Sequence, residues 1–331
     1  MHDLHHLATY ALLCLAILGI FETAHELARL SRAQRLVNFS AKPPFNTSSW
    51  RVPNSLVWPF REETSHYNYT SLGTYSDQTS PRRHARIGKC TSIYGSWGSG
   101  YYRALDTHVE HNKLHRYPAY ILDESIMDGM WSKQAALLEV MLLELLKPEK
   151  ERLQWLAWFD ADTMILNRQI PLETFLPPPD MPNVHALFTK DWNGLNAGVF
   201  FLRVSSWSVD LMTAVLAYRS FKPDDDLPFV EQSAMSNLMH EGEFKDGAAF
   251  VPSRWFNAYL AGGDDELSYK VRHGDMALHF PGVGDKEKVM GEWMDGLEVN
   301  RALWEVPLEE TNLSREAEWF WEGLRLRVDA E

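Results

Sequence analysis

Cysteine is nearly missing from this chain of 331 residues: Cys14 lies in an apolar run and Cys90 in a predicted strand. That gives no basis for a disulfide framework, and the compartment has to be read from other features. Basic charge is scarce as well. Against 45 Asp and Glu stand 32 Lys and Arg, for a net charge of -13. Nucleic acid is thereby excluded as the main partner, because binding a polyanion relies on clustered Lys and Arg, and any phosphate held here needs a cation beside it. Internal repeats are absent. So is an apolar run of the roughly 20 residues that span a bilayer as a helix. The nearest approach is Leu7 to Phe21, about 15 residues at the extreme N-terminus, which is short for a span but right for a signal peptide or a minimal signal anchor.

No small-residue cleavage site follows Phe21, so an uncleaved anchor over residues 1–30 is preferred to a buried soluble helix. The positive charge (Arg29, Arg32, Arg35) follows the apolar segment, and only His2, His5 and His6 precede it. This is the reverse of the usual rule for a cytoplasmic N-terminus, so orientation rests instead on the glycosylation sequons at Asn38, Asn46, Asn68 and Asn312. The first three fall in residues 31–83, a stretch rich in Ser, Asn, Thr and Pro without apolar periodicity. It reads as a lumenal stem.

Residues 84–331 carry the folded domain, and at 45% hydrophobic the chain has ample material for a core. Ile87 to Tyr94 reads as a strand, Tyr101 to His115 as a helix and Ala119 to Leu122 as a second strand. Trp131 to Leu146 is an amphipathic helix ended before Pro148, and the apolar run Leu153 to Phe159 is a buried strand leading straight into Asp160. His185 to Phe188 and Val199 to Val204 read as strands around a loop, Asp191 to Asn196. Ser206 caps a helix through Tyr218, Phe229 to Met239 is another helix, Ala248 to Val251 and Met276 to Phe280 are strands, and Arg315 to Leu326 is a C-terminal helix. This alternation specifies an α/β fold with a mainly parallel sheet, helices on both faces and ligands at the carboxyl ends of the strands.

Asp160 stands at such an end. Asp160 and Asp162 offer hard oxygen ligands for Mn²⁺ or Mg²⁺, the cation that an acidic protein needs in order to hold a departing diphosphate. Asp-x-Asp is common by chance, and Asp224 to Asp226 contains the same pattern. Context separates the two: a fully apolar strand delivers Asp160 and Asp162, whereas Asp224 to Asp226 lie between Pro223 and Pro228. Thirteen Trp residues add aromatic faces of the kind used against sugar rings, although most Trp serve core packing.

The run WLAWFDADTMILN, followed by IPLETFLPP and GLNAGVFFLR, resembles the fungal α-1,2-galactosyltransferase and α-1,6-mannosyltransferase family, glycosyltransferase family 34. RIGKCTSIYG, HVEHNKLHRY, WSKQAALLEVM, VEQSAMSNLM and LHFPG extend the likeness from about Arg86 to Trp293 in the same order. The resemblance implies a GT-A (Rossmann-like) fold and a single-pass type II membrane protein of the Golgi with a lumenal catalytic domain. It also implies a nucleotide-sugar donor (UDP-galactose or GDP-mannose), a mannose-containing glycan as acceptor, membership of a glycosyltransferase complex, and transfer that retains the anomeric configuration. It assigns Asp160, Asp162 and His279 to the metal, with Asp160 also on the donor. Lys133, Asn196, Gly198 and Gly282 fall to the donor, and Ile87 to Tyr94 to the nucleotide pocket. Glu231 and Gln232 lie beside the reacting sugar carbon, where a neutral amide can stabilise positive charge. Related plant enzymes carry a lysine soon after His-x-x-Gly. Here Gly284 and Asp285 intervene before Lys286 and Lys288, and the diphosphate contact, given first to Lys286, is open between the two.

Two other readings compete. Asp160-Ala161-Asp162-Thr163 approximates the nucleophile motif of haloacid-dehalogenase phosphatases, but there the Asp strand opens the domain, while here about 70 residues of α/β sequence precede it. A structural subunit of low turnover in a Golgi mannosyltransferase complex is the non-enzymatic alternative, and the intact Asp160, Asp162 and His279 speak against it. The lumenal assignment predicts that protein made in a eukaryotic host is glycosylated at the stem and C-terminal sequons. Endoglycosidase treatment should then increase its gel mobility, and an unchanged band refutes the assignment.

Overall fold

The computed structural model describes residues 50–51, 87–95, 97–240, 242–260 and 269–328. The proposed anchor of residues 1–30, nearly all of the stem, and Asn38, Asn46 and Asn68 lie outside the described residues. Among the described residues no helix is long and apolar enough to cross a membrane. Asn312 is exposed just before the last helix.

The chain alternates strand and helix as its periodicity demands. In order come β1 (Trp50–Arg51), β2 (Ile87–Ser92), α1 (Ser99–His115), β3 (Ala119–Leu122), α2 (Ser132–Leu145), β4 (Trp155–Phe159), β5 (Thr163–Ile165), β6 (Ala186–Asp191) and β7 (Gly194–Arg203). Then follow α3 (Ser206–Phe221), α4 (Glu231–His240), β8 (Ala248–Phe250), β9 (Ala258–Tyr259), β10 (Ala277–His279), α5 (Lys286–Trp304) and α6 (Leu313–Val328). The main sheet has the order β1-β3-β2-β4-β7-β6-β8. Strands β3, β2, β4, β6 and β8 share one direction, while β7 and the edge strand β1 oppose it. A small second sheet has the order β5-β10-β9. This is the mainly parallel α/β arrangement expected from the sequence.

The middle strand is apolar on both sides because both faces are covered. In β4, Leu156 and Trp158 join the core formed with α2, α3 and α4, while Trp155, Ala157 and Phe159 join the core that includes Leu313, Ala317 and Trp321 of α6. All five are buried, which accounts for a continuous hydrophobic run in place of strict alternation.

Three departures from the sequence expectations have physical causes. Asp191 to Asn196, expected as a loop, is a β-hairpin: β6 runs to Asp191 and β7 begins at Gly194. Its turn is held by the Asn193 N–H, which donates to Asp191 Oδ1 at 2.7 Å, and Gly194 takes a φ of 99°, open to glycine at little cost. The cap of α3 is Ser205, whose Oγ accepts from the Ser208 N–H at 3.4 Å, one residue before the expected Ser206. Helix α5 was not expected at all. Gly291 and Gly296 each lower its intrinsic propensity by about 1 kcal/mol. The helix is held by burial of Met290, Met294 and Leu297, which pack with Ala104 of α1 and Leu278 of β10.

A buried carboxylate ties α2 to the sheet. Glu144, 2% exposed, accepts from the Tyr120 hydroxyl at 2.9 Å and from the Leu153 N–H at 2.9 Å, joining β3 and the approach to β4. Glu144→Ala orphans both donors and is expected to lower stability by about 2–4 kcal/mol, measured as the midpoint of urea unfolding. A change under 1 kcal/mol refutes the tie.

Candidate active site

Strand register brings the acidic pair and the histidine together. Asp160 follows β4 directly, and its N–H donates to the Gly198 carbonyl across the β4–β7 ladder at 2.8 Å. The Thr163 hydroxyl then donates to the Asp160 carbonyl at 2.7 Å, turning the chain so that Asp162 precedes β5. There Thr163 pairs with His279 of β10, and the Phe280 N–H donates to the Asp162 carbonyl at 3.0 Å. His279 Nε2 thereby comes to lie 3.3 Å from Asp162 Oδ1. Ligand atoms of Asp160, Asp162 and His279 lie within 4.8 Å of one another.

An irregularity in β7 shapes the second wall. The β6–β7 register shifts between Leu187 and Thr189, and the resulting bulge carries Ala197 and Gly198. Bulges re-aim the backbone at the edges of sites. Here the Ala197 carbonyl accepts from Lys133 Nζ at 2.9 Å and its N–H donates to Gln232 Oε1 at 2.9 Å. Lys133, in the first turn of α2, also meets Asp160 Oδ1 at 2.9 Å and Glu231 Oε1 at 3.3 Å. Its ammonium is therefore surrounded by three protein oxygens, with the side chain 5% exposed. Glu231 and Gln232 open α4 behind Val230, which adopts a φ of 52°. A β-branched residue in the left-handed region is strained by roughly 1–3 kcal/mol, a feature that clusters at functional sites.

The third wall follows β10. Gly282 takes a φ of 64° in the turn that leads into α5, and Lys286, the first residue of that helix, donates to Asp162 Oδ2. Lys288, by contrast, is 68% exposed and faces Glu292 at 3.9 Å, so Lys286 is the lysine at the cluster. Ser92, at the end of β2, lies on the same edge, because β2 runs parallel to β4 with Cys90 opposite Trp158.

Opposite charges meet at the cluster. Burial opposes ionisation of Asp162, but the His279 ring, in its protonated form, and Lys286 outweigh it, and its carboxyl is held below the usual range. Burial pushes Glu231 up, with Lys133 drawing it down and Asp160 raising it again. Burial also disfavours the charge on Lys133, yet Asp160 and Glu231 hold its ammonium above the ordinary value. The donor set fits a divalent cation. Lys133 and the Trp158 indole both take Asp160 Oδ1, and Lys286 takes Asp162 Oδ2. This leaves the other oxygen of each carboxylate together with His279 Nε2, a mixed oxygen and nitrogen set suited to Mn²⁺ or Mg²⁺.

Asn196 stands behind this cluster, not in it. Its Oδ1 accepts from the Gly198 N–H at 2.9 Å and its Nδ2 donates to Asp191 Oδ2 at 3.0 Å. Sequence reasoning missed Asn257, Thr189 and Asp191, which complete this layer. The only sequence signal was a polar residue, Asn257, set inside the aromatic run Trp255, Phe256 and Tyr259. Gly198 owes its identity to His279: a Cβ there would stand 2.1 Å from the ring Cε1.

The profile of the galactosyl transferase GMA12/MNN10 family matches residues 178–289, a stretch that begins after Asp162 and includes His279. The chain is 25% identical over 264 residues to the probable alpha-1,2-galactosyltransferase gmh1 of Schizosaccharomyces pombe, across 68% of this chain and 77% of that protein. It is 32% identical over 140 residues to xyloglucan 6-xylosyltransferase 4 of Arabidopsis thaliana, across 38% of this chain and 25% of that protein. Among solved structures, a glycosyltransferase involved in the glycosylation of the major capsid of PBCV-1 matches with a TM-score of 0.47 and 14% identity, across 62% of this chain and 98% of its own.

Gly198→Ala drives a methyl group into the His279 ring. The variant should fold with a loss of about 1–3 kcal/mol from overpacking and bind Mn²⁺ at least tenfold more weakly, measured by calorimetry beside thermal melting. Binding at wild-type strength would show that the ring does not depend on this contact.

Proposed function

The chain belongs to the galactosyl transferase GMA12/MNN10 family, and from that premise we propose that it is a metal-dependent, retaining hexosyltransferase working at the Asp160, Asp162 and His279 cluster. The observation that carries this reading is the convergence of two carboxylates and an imidazole from three strand ends within 4.8 Å. The donor is UDP-galactose or GDP-mannose, galactose being favoured by the name of the fission yeast relative, and the acceptor is a mannose-containing glycan. The enzyme acts in the Golgi lumen, held by the N-terminal segment. The intact cluster argues against a subunit without turnover.

Bound at the cluster, a divalent cation would neutralise the diphosphate as it leaves. Lys286 adds a fixed positive charge at the N-terminus of α5, whose unpaired backbone N–H groups favour an anion. Lys133 acts through Asp160: with its three donors on Asp160, Glu231 and Ala197 it holds that carboxylate in place and links it to α4. Glu231 completes this link. Gln232, with Oε1 pinned by the Ala197 N–H, is the catalytic candidate toward the sugar carbon, where positive charge develops. In the transfer the bond from the anomeric carbon to the phosphate oxygen breaks, with its electron pair leaving on the phosphate. The acceptor hydroxyl attacks from the same face, and its proton passes to the departing phosphate.

The purified protein, offered UDP-galactose, GDP-mannose, UDP-glucose and UDP-xylose with Mn²⁺, should release nucleotide from one of the first two, lose that activity in EDTA and regain it with Mn²⁺. Asp162→Ala and His279→Ala should weaken both metal binding and transfer, the latter on the order of 10³-fold. Gln232→Ala should slow transfer on the order of 10²-fold while binding of the nucleoside diphosphate with Mn²⁺ stays near normal. Full turnover in chelator would overturn the metal mechanism, and a wild-type rate in Gln232→Ala would reduce that residue to a feature of the helix start.

A further inference from the structure

His279 has two ring nitrogens, and only the one without a proton can ligate a cation. Nδ1 lies 2.8 Å from Asn257 Oδ1, and an amide oxygen only accepts, so this contact places the ring proton on Nδ1. The amide orientation is not arbitrary. Asn257 Nδ2 lies 2.9 Å from Asn196 Oδ1 and 2.7 Å from Thr189 Oγ1. Asn196 is fixed at both ends in turn, since its Oδ1 accepts from the Gly198 backbone N–H, which only donates, and its Nδ2 faces the Asp191 carboxylate. Tyr259 donates to that same Asp191 oxygen at 3.0 Å. Hydrogen-bond polarity is therefore determined along the whole chain, from a backbone N–H and a carboxylate through two amides to the imidazole. The path is shielded from water: Thr189 and Asn257 are 0% exposed, Asn196 5% and Asp191 9%.

We propose that Asn257, oriented through Asn196, Thr189 and Asp191, is a positioning residue that locks His279 with its proton on Nδ1 and presents the Nε2 lone pair to the divalent cation. The inference rests on the metal reading above and adds to it the group that makes His279 a ligand. With Nε2 bare, two acceptors, Nε2 and Asp162 Oδ1, face each other at 3.3 Å. That approach is unfavourable by itself, and a divalent cation held by these two side chains would relieve it. Hydrogen-bond partners behind metal-bound histidines typically contribute 10- to 100-fold in metal affinity.

The test uses the full chain labelled with ¹⁵N-histidine, free of metal, at about pH 8.5, two units above the ordinary imidazole value. Long-range ¹H–¹⁵N spectra are assigned to His279 with His279→Gln. The expected wild-type ring is protonated on Nδ1 and bare on Nε2. A proton on Nε2, alone or with both nitrogens protonated, overturns the proposal without reference to any variant. Calorimetric titration with Mn²⁺ alone should show Asn257→Ala binding about 10- to 100-fold more weakly, with the His279 signals shifted toward the other tautomer and a circular dichroism spectrum like that of the wild type. Wild-type Mn²⁺ affinity in a folded Asn257→Ala refutes the positioning role and leaves the metal reading intact. Failure of the wild type to bind Mn²⁺ removes the metal reading and this inference with it.

Discussion

The contact of the His279 ring with the bulged backbone at Gly198 is the constraint on which the site turns. One residue of side chain there would collide with the ring, so β7 must be bare where β10 crosses it. The same bulge supplies the carbonyl that Asp160 bonds and the peptide groups that hold Lys133 and Gln232. A single irregularity thus fixes the cluster of Asp160, Asp162 and His279, the buried Lys133 ammonium behind it and the start of α4 relative to one another. Because these contacts are backbone-mediated, they tolerate little change in position and store the geometry without reliance on long side chains.

Charge is arranged in two layers around that point. Asp160, Asp162 and Lys286 are partly open to solvent, and His279 is buried beside them. Behind them lie groups sealed from water, Lys133 with Glu231 on one side and Asn257, Asn196, Thr189 and Asp191 on the other. Buried polar groups of this kind are costly unless every one is paired. Here the pairing is what holds the outer layer in place. The inner layer therefore serves to orient the outer one.

Sequence periodicity determined the α/β class, the mainly parallel sheet and the delivery of Asp160 by a buried strand, because those follow from local burial patterns that one chain carries in full. The Asp-x-Asp pattern at a strand end brought forward Asp162, and the motif resemblance His279 and the Glu231-Gln232 pair. Helix α5 was invisible because its two internal glycines hide a helix held by docking on α1. The hairpin at Asp191 to Gly194 read as a loop because the polar residues Asp191 and Asn196 face a hydrogen-bond network and not water. From sequence, Lys286 and Lys288 were equivalent, and only the turn at Gly282 directed one to Asp162 and the other to solvent. Asn257 and Gly198 acquired their roles from side chains more than twenty and eighty residues away, respectively. Contacts between distant residues, unlike periodicity, leave no local signal, so tertiary structure alone decided which nitrogen of His279 faces Asn257 and which faces Asp162.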